Sequence, residues 1–299
     1  MSRPARVGIV GLGIMGSAYA RHLLFEGFAV CGFDTAPDAL ERFGALGGEV
    51  ERSAGAVADR SDVVITALAT TDALDSAYVA RDGIAVSARE GLIALEMSTF
   101  ALDAKERVRD ALAARGATAL DVPVSGTGAQ AQDRDLTLLA SGERAAYDRA
   151  LVVMQALARD VRYVGPYGTG SKLKYIANLL VTIHNLSAAE AVVLAERAGI
   201  DPAVMLDALG HSAATSRMLQ VRGPLMAQRR YEPATMKVEV HQKDIGIIDD
   251  FARSVGAATP LFSLSAEFYA QAAASGHAEH DTAALAEVLR AASRSEEKV

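Results

Sequence analysis

The run Arg6-Val-Gly-Ile-Val10 passes directly into Gly11-Leu12-Gly13-Ile14-Met15-Gly16 and then into Ser-Ala-Tyr-Ala-Arg-His-Leu-Leu. Few folds accept a strand, three glycines at this spacing and a helix in that order. The first glycine allows a tight turn, the second lets backbone approach a pyrophosphate, and the third lets helix and strand pack closely. The leading N–H groups and dipole of the helix then favour phosphate. The six letters alone recur in unrelated glycine-rich turns; the strand before them and the helix after them specify the reading. Residues 11–16 are therefore expected to cradle a dinucleotide.

Asp34 follows the second β-branched run, 29–33. An acid there accepts hydrogen bonds from the adenosine ribose and repels a 2′-phosphate, and the next residue is Thr35 rather than an arginine. NAD is the expected cofactor, with NADP left open. The same acid also suits a simple cap of the turn before Pro37.

Further β-branched or apolar runs at 63–66, 92–95 and 117–121 alternate with helical patterns such as 101–115. That alternation predicts βαβ units and a mainly parallel sheet. Runs at 136–140 and 161–164 read as later strands of the same domain. Beyond Gly165-Pro166 the strand signals stop, and the chain reads as helix to about Arg290. The 299 residues suit two domains. The expected architecture is α/β, a Rossmann-type dinucleotide-binding domain over 1–165. An all-helical substrate and oligomerisation domain follows over 166–292, and 293–299 form a charged, disordered tail. The longest helical pattern, 168–197, joins the two domains and would extend about 40 Å. Gly199 stops it, and Asp201-Pro202 starts the next helix. One small domain cannot cover a helix this long and apolar, so a homodimer or homotetramer is expected.

Composition narrows the partners. A net charge of −7 disfavours a nucleic-acid surface, which needs a concentrated basic face. The single cysteine, Cys31, leaves no intramolecular disulfide and reads as a core residue of the second strand. The amino terminus enters a strand without a charged-then-apolar leader. The longest uncharged stretch, 175–189, is too short and too polar for a bilayer. A cytoplasmic protein with no membrane partner is expected. The six histidines show no metal-ligand spacing, so no metal is expected. No GxSxG or Cys–His arrangement supports hydrolase chemistry.

Lys174 and Asn178 lie four apart and share one face of the long helical pattern, with Thr182 and Asn185 continuing it. A polar stripe on an apolar helix needs partners or a ligand. A lysine held beside a cationic nicotinamide loses its proton more readily than in water, which suits a general acid or base. The spacing equally accommodates Lys174 reaching solvent and Asn178 bonding backbone. Ser125 and Gly126 follow the strand ending at Asp121, on a turn that also holds Gly128. Successive N–H groups on such a turn, with a hydroxyl, make a concavity for a carboxylate; an ordinary tight turn has the same letters.

Four stretches carry a resemblance that covers about residues 6–290. They are Val10-Gly-Leu-Gly-Ile-Met-Gly16, Asp121-Val-Pro-Val-Ser-Gly126, Gly168-Thr-Gly-Ser-Lys-Leu-Lys-Tyr-Ile-Ala-Asn178 and His241-Gln-Lys-Asp244. In them the chain resembles the β-hydroxyacid dehydrogenases, the group of 3-hydroxyisobutyrate dehydrogenase, tartronate semialdehyde reductase and glyoxylate/succinic semialdehyde reductase. The resemblance implies an oxidoreductase that moves a hydride between a nicotinamide and a small 3-hydroxy acid or its semialdehyde. It makes Lys174 the acid/base and Asn178 its companion, and it makes Ser125 and Gly126 the carboxylate binders. It places Lys243 at the nicotinamide end of the cofactor with Asp244 supporting it, and Leu68, Ala69 and Thr99 along the cofactor. Some letters depart from the family. Thr127 replaces a second glycine and narrows the carboxylate pocket, Arg134 replaces the glycine of Asp-Gly-Thr-Leu, and Ala69 replaces a proline. An imine reductase of the same architecture and a non-catalytic dinucleotide-binding module are the competing readings. The intact Lys174, Asn178 and Ser125-Gly126 weigh against both.

Overall fold

Strands β1 (Arg6–Val10), β2 (Ala29–Phe33), β3 (Glu49–Val50), β4 (Val63–Thr66), β5 (Ile93–Glu96) and β6 (Thr118–Asp121) form one parallel sheet in the order β3-β2-β1-β4-β5-β6. The computed structural model describes residues 6–295, which form two compact units parting between Lys174 and Tyr175. β4 and β5 are buried at every position, as strands covered by helices on both faces must be. Val7, Ile9, Leu23, Ile65 and Leu95 are wholly buried in the core. Each such side chain contributes about 1.5–3 kcal/mol by leaving water. Cys31 is buried with them, its thiol near the Ser61 hydroxyl.

The runs at 136–140 and 161–164, expected as later strands of the same domain, do belong to the first unit, where they build a separate sheet. β7 (Val124–Ser125) pairs antiparallel with β8 (Thr137–Ala140), and β8 pairs parallel with β9 (Asp160–Tyr163). A single bridge, Asp121 to Ser141, links the end of β6 to this second sheet. Pro123 explains the break: it has no N–H to continue a ladder, so β6 ends and the chain re-enters a strand one residue later.

The long helix runs Thr169–Arg197. Gly199 (φ 73°) ends it. Its N–H donates to Glu196 O while that of Ile200 donates to Ala195 O; this paired closure needs a left-handed residue that glycine adopts without penalty. Asp201 then caps the next helix, Pro202–Leu209, by accepting from Ala203 N at 2.8 Å. Among the described residues Thr169–Arg197 is the one helix long and apolar enough to cross a bilayer by length and composition. Its buried Ser171, Asn178, Thr182 and Asn185 all bond to protein groups, which marks a core helix.

The second unit is built of helices joined by loops, with an isolated bridge between Lys237 and Asp281. Helices Arg217–Gln228, Val238–Ser254 and Pro260–Ala272 surround a core that includes Tyr175, Leu186, Val192, Phe262 and Tyr269. The last helix, Leu285–Ser295, extends into the stretch expected to be a disordered tail, since its apolar face (Leu285, Ala286, Val288) is buried. Residues 296–299 lie outside the described residues.

Candidate active site

All the expected cofactor loops of the first unit leave the carboxyl ends of parallel strands. They follow β1 (11–13), β2 (34–36), β4 (67–69) and β5 (97–99), and the turn 122–128 follows β6. Ligands of open α/β sheets bind at this edge, where the strand order reverses beside β1.

The glycines differ in what surrounds them, and the difference defines the cradle. A Cβ on Gly11 (φ 90°) would lie 2.3 Å from Ala67 O, and one on Gly16 would lie 1.8 Å from Gly11 O. Those two close the turn and pack the helix. A Cβ on Gly13 would meet nothing within 4 Å, so Gly13 borders the open space into which a pyrophosphate would come. The helix it leads, Ile14–Phe25, has no side-chain cap, so its first N–H groups are left for phosphate oxygens. The residues present therefore fit a dinucleotide.

Asp34 bonds to backbone on both sides of its strand end. Its Oδ2 accepts Leu12 N at 2.6 Å and its Oδ1 accepts Ala36 N at 2.9 Å. It thus ties the glycine loop to the turn after β2 and caps its own turn. Leu68 N donates to Ser98 Oγ at 2.9 Å, joining the loops after β4 and β5; Ala69 is exposed and Thr99 half-buried at the same edge.

The turn 125–128 packs onto the glycine loop. A Cβ on Gly128 would come 2.5 Å from Ile14 Cγ2, and one on Gly126 (φ 145°) would come 2.4 Å from Leu136 Cδ2. Ser125 is exposed. Thr127 is engaged in a capping box: its hydroxyl accepts Gln130 N at 3.4 Å and Gln130 Oε1 accepts Thr127 N at 3.0 Å. Its polar groups serve the short helix Gly128–Gln132, and its remaining contribution to the turn is bulk. The signature Thr-x-x-Gln was present in the sequence and marks such a box.

Lys174 stands half-buried one turn beyond Ser171. Asn178 is the next residue on that helix face, and in the second unit its Nδ2 donates to Asp244 Oδ2 at 2.9 Å. Asp244 also pairs with Lys243 at 3.3 Å. Thr182 Oγ1 donates to Asn178 O at 2.7 Å and lies 2.8 Å from His241 Nε2. The first unit thus gathers 11–16, Asp34, Leu68 and 125–128, and the second gathers Asn178, Lys243 and Asp244. The polar stripe is held by protein partners at Asn178, Thr182 and Asn185, and Asn185 donates to Tyr269 Oη and Thr282 O. Among the described residues no cluster of three or more His, Cys, Asp or Glu forms a metal cage. Arg217 is exposed beside an open groove of the second unit.

Comparison with known proteins agrees in both units. Residues 6–165 match the NAD binding domain of 6-phosphogluconate dehydrogenase. Residues 168–289 match the NAD-binding domain of NADP-dependent 3-hydroxyisobutyrate dehydrogenase. An L-threonate dehydrogenase of Cupriavidus necator is 34% identical over 97% of each chain. An NAD-dependent L-serine dehydrogenase of Pseudomonas aeruginosa is 29% identical over 92% of this chain and 95% of its own. The structure of Mycobacterium tuberculosis 3-hydroxyisobutyrate dehydrogenase with L-serine superposes with a TM-score of 0.89 at 28% identity, covering 96% of this chain and all of that one. The chain belongs to the β-hydroxyacid dehydrogenase family, NAD(P)-dependent oxidoreductases that act by hydride transfer on small hydroxy acids.

Proposed function

We propose that this enzyme oxidises a small carboxylate-bearing hydroxy acid with NAD in preference to NADP, using Lys174 as its general acid/base. The observation that carries the reading is the seating of the turn 125–128 against Ile14 of the dinucleotide cradle. A carboxylate held there would lie beside the cofactor loop. Bound nicotinamide supplies the hydride acceptor. Ser125 and Gly126 anchor the carboxylate through hydroxyl and N–H donors, and Thr127 narrows the space beside them. Fixing the carboxylate fixes which carbon presents its hydrogen, and orientation of this kind supplies much of the rate. Lys174 takes the hydroxyl proton in oxidation and returns it in reduction, and Asn178, held by Asp244, orients the substrate oxygen. Lys243 serves the nicotinamide end of the cofactor, and Leu68, Ala69 and Thr99 line it.

The preference for NAD rests on Asp34, whose carboxylate would face a 2′-phosphate with no arginine beside it. We assign cofactor binding to 1–165, and substrate binding and assembly as a homodimer or homotetramer to 166–292. We place the enzyme in the cytoplasm. The test is absorbance of reduced nicotinamide with each cofactor against L-threonate, L-serine, 3-hydroxyisobutyrate, D-glycerate and 3-hydroxypropionate. Turnover is expected on one or more, with Lys174→Ala lowering kcat about 10²–10⁴-fold and leaving NADH affinity in place. Lys174→Ala that keeps more than about a tenth of the rate, where loss of a proton-transfer group predicts far less, removes Lys174 from the chemistry.

A further inference from the structure

Three charged side chains are wholly buried beneath the first turn of the long helix. Glu96 ends β5 and Asp121 ends β6, and the two are register partners on adjacent strands. Lys105, from the helix Leu102–Ala113, reaches between them: its Nζ lies 2.7 Å from Glu96 Oε2 and 2.7 Å from Asp121 Oδ1, and all three side chains are 0% exposed. The contact with Glu96 is ionic rather than a well-aligned hydrogen bond. Burial pushes the ammonium's pKa down, but the two carboxylates outweigh it and the net direction is up, so Lys105 stays a cation.

Two carboxylates to one ammonium leave an excess of acceptors, and their partners form a path. Glu96 Oε1 accepts Ser98 N at 2.9 Å, and Ser98 Oγ accepts Leu68 N at 2.9 Å. At the other end Asp121 Oδ2 accepts Ser171 N at 2.8 Å and Ser141 Oγ at 3.0 Å, while Oδ1 accepts Ser171 Oγ at 2.7 Å. Ser141 Oγ in turn accepts Gly170 N at 3.0 Å. A Cβ on Gly170 would lie 2.2 Å from Leu139 O, so the helix start is seated directly on the second sheet. Gly168 precedes the helix and has no side chain to cap it. Asp121, fifty residues upstream of Ser171, does the work of the missing cap and meets the positive end of the dipole.

We propose that Lys105 and Asp121 are positioning residues for the reaction, locking the first turn of the long helix so that Lys174, one turn later, is held over the cofactor edge; this rests on Lys174 being the acid/base. A buried ion cluster is weak support for stability, because apolar replacements often match it. Placement of a proton-transfer group is different, since misplacement by about 1 Å costs ~10²-fold.

The test is a cycle between Ser171→Ala and Lys174→Ala in the full-length enzyme. Ser171→Ala deletes one bond to Asp121 and keeps the rest. Alone it is expected to lower kcat about tenfold, a partial misplacement on that scale, with NADH affinity and substrate KM within about twofold, since orientation and not binding is lost. Ser171→Thr, which keeps the hydroxyl, is expected to restore the rate. In the Lys174→Ala background Ser171→Ala should cost nothing further, because its effect passes through Lys174. Lys105→Met is expected to act in the same way and more severely, read per NADH-binding site so that misfolded protein does not count. A full kcat in Ser171→Ala, or the same loss with and without Lys174, overturns the positioning role while leaving the acid/base reading intact. An active Lys174→Ala overturns both.

Discussion

At the scale of single residues, several side chains of the first unit serve two ends at once. Asp34 is the clearest, since the carboxylate that would face the adenosine ribose also holds Leu12 N at 2.6 Å. Asp34→Ala is therefore expected to weaken NAD and to erode discrimination against NADP together. Hydrogen bonds to a charged group contribute about 1.5–3 kcal/mol, so NAD affinity should fall ~10-fold or more. The ratio of kcat/KM with NAD to that with NADP is the readout; a ratio equal to wild type means another residue selects the cofactor. Asp34→Asn removes the charge while its one amide oxygen can still accept Leu12 N, at the cost of the bond from Ala36 N. Arg134 is a different compromise. Its φ of 58° places a non-glycine residue in the left-handed region, at a cost of about 1–2 kcal/mol. Its bonds to Glu26 Oε1 and Gln155 O lie on the opposing side of that balance.

At the scale of elements, the second unit is tied together by Asp281 at the turn before Thr282–Ala284. Its Oδ2 accepts Thr235 N and Oγ1, its Oδ1 accepts Ala283 N, and Arg222 Nε lies 3.3 Å away. Burial raises the carboxyl's pKa, but Arg222 and the Thr235 and Ala283 bonds outweigh it, and the net direction is down. A folded pKa below the unfolded value favours the fold when ionised. The contribution is fully present above the unfolded value of about 3.9 and is lost as pH falls through the lower folded one. Asp281→Asn should lower the urea midpoint at neutral pH and flatten its decline on acidification below about pH 4. Acid limbs that stay parallel in the two proteins would show that Asp281 carries none of that dependence. Elements of this kind were unequally legible in the sequence. β1, the glycine loop and the long helix with its Gly199 stop could be read, because spacing and local stereochemistry alone decide them. β3 and β7 span two residues each and hold no period to detect. The break into a second sheet at Pro123 needed the proline weighed as a terminator. The Glu96–Lys105–Asp121 cluster was invisible, since its members come from two strand ends and a helix whose juxtaposition only the fold creates.

At the scale of the whole molecule, the long helix leaves apolar side chains in water that one chain does not cover. Leu173, Ile176, Leu180 and Leu194 are 39%, 52%, 46% and 70% exposed. At 3.6 residues per turn they fall within one stripe. A net charge of −7 opposes association weakly, whereas each leucine or isoleucine removed from water contributes about 1.5–3 kcal/mol. A stripe of this kind favours a second copy of the chain, consistent with the homo-oligomer proposed above. Leu194 lies about five and a half turns beyond Lys174, so a change there tests assembly without touching the proposed chemistry directly. Leu194→Glu would place an unpaired carboxylate in the interface, which costs several kcal/mol if it stays buried. The wild-type enzyme is expected to scatter light as a dimer or tetramer at micromolar concentration, and Leu194→Glu is expected to shift toward the 31.3 kDa monomer. Leu194→Ala, which shortens the side chain without adding charge, should give an intermediate dissociation constant. A wild-type monomer at every concentration would remove the oligomer from the account. A Leu194→Glu protein with unchanged mass would move the interface to another face.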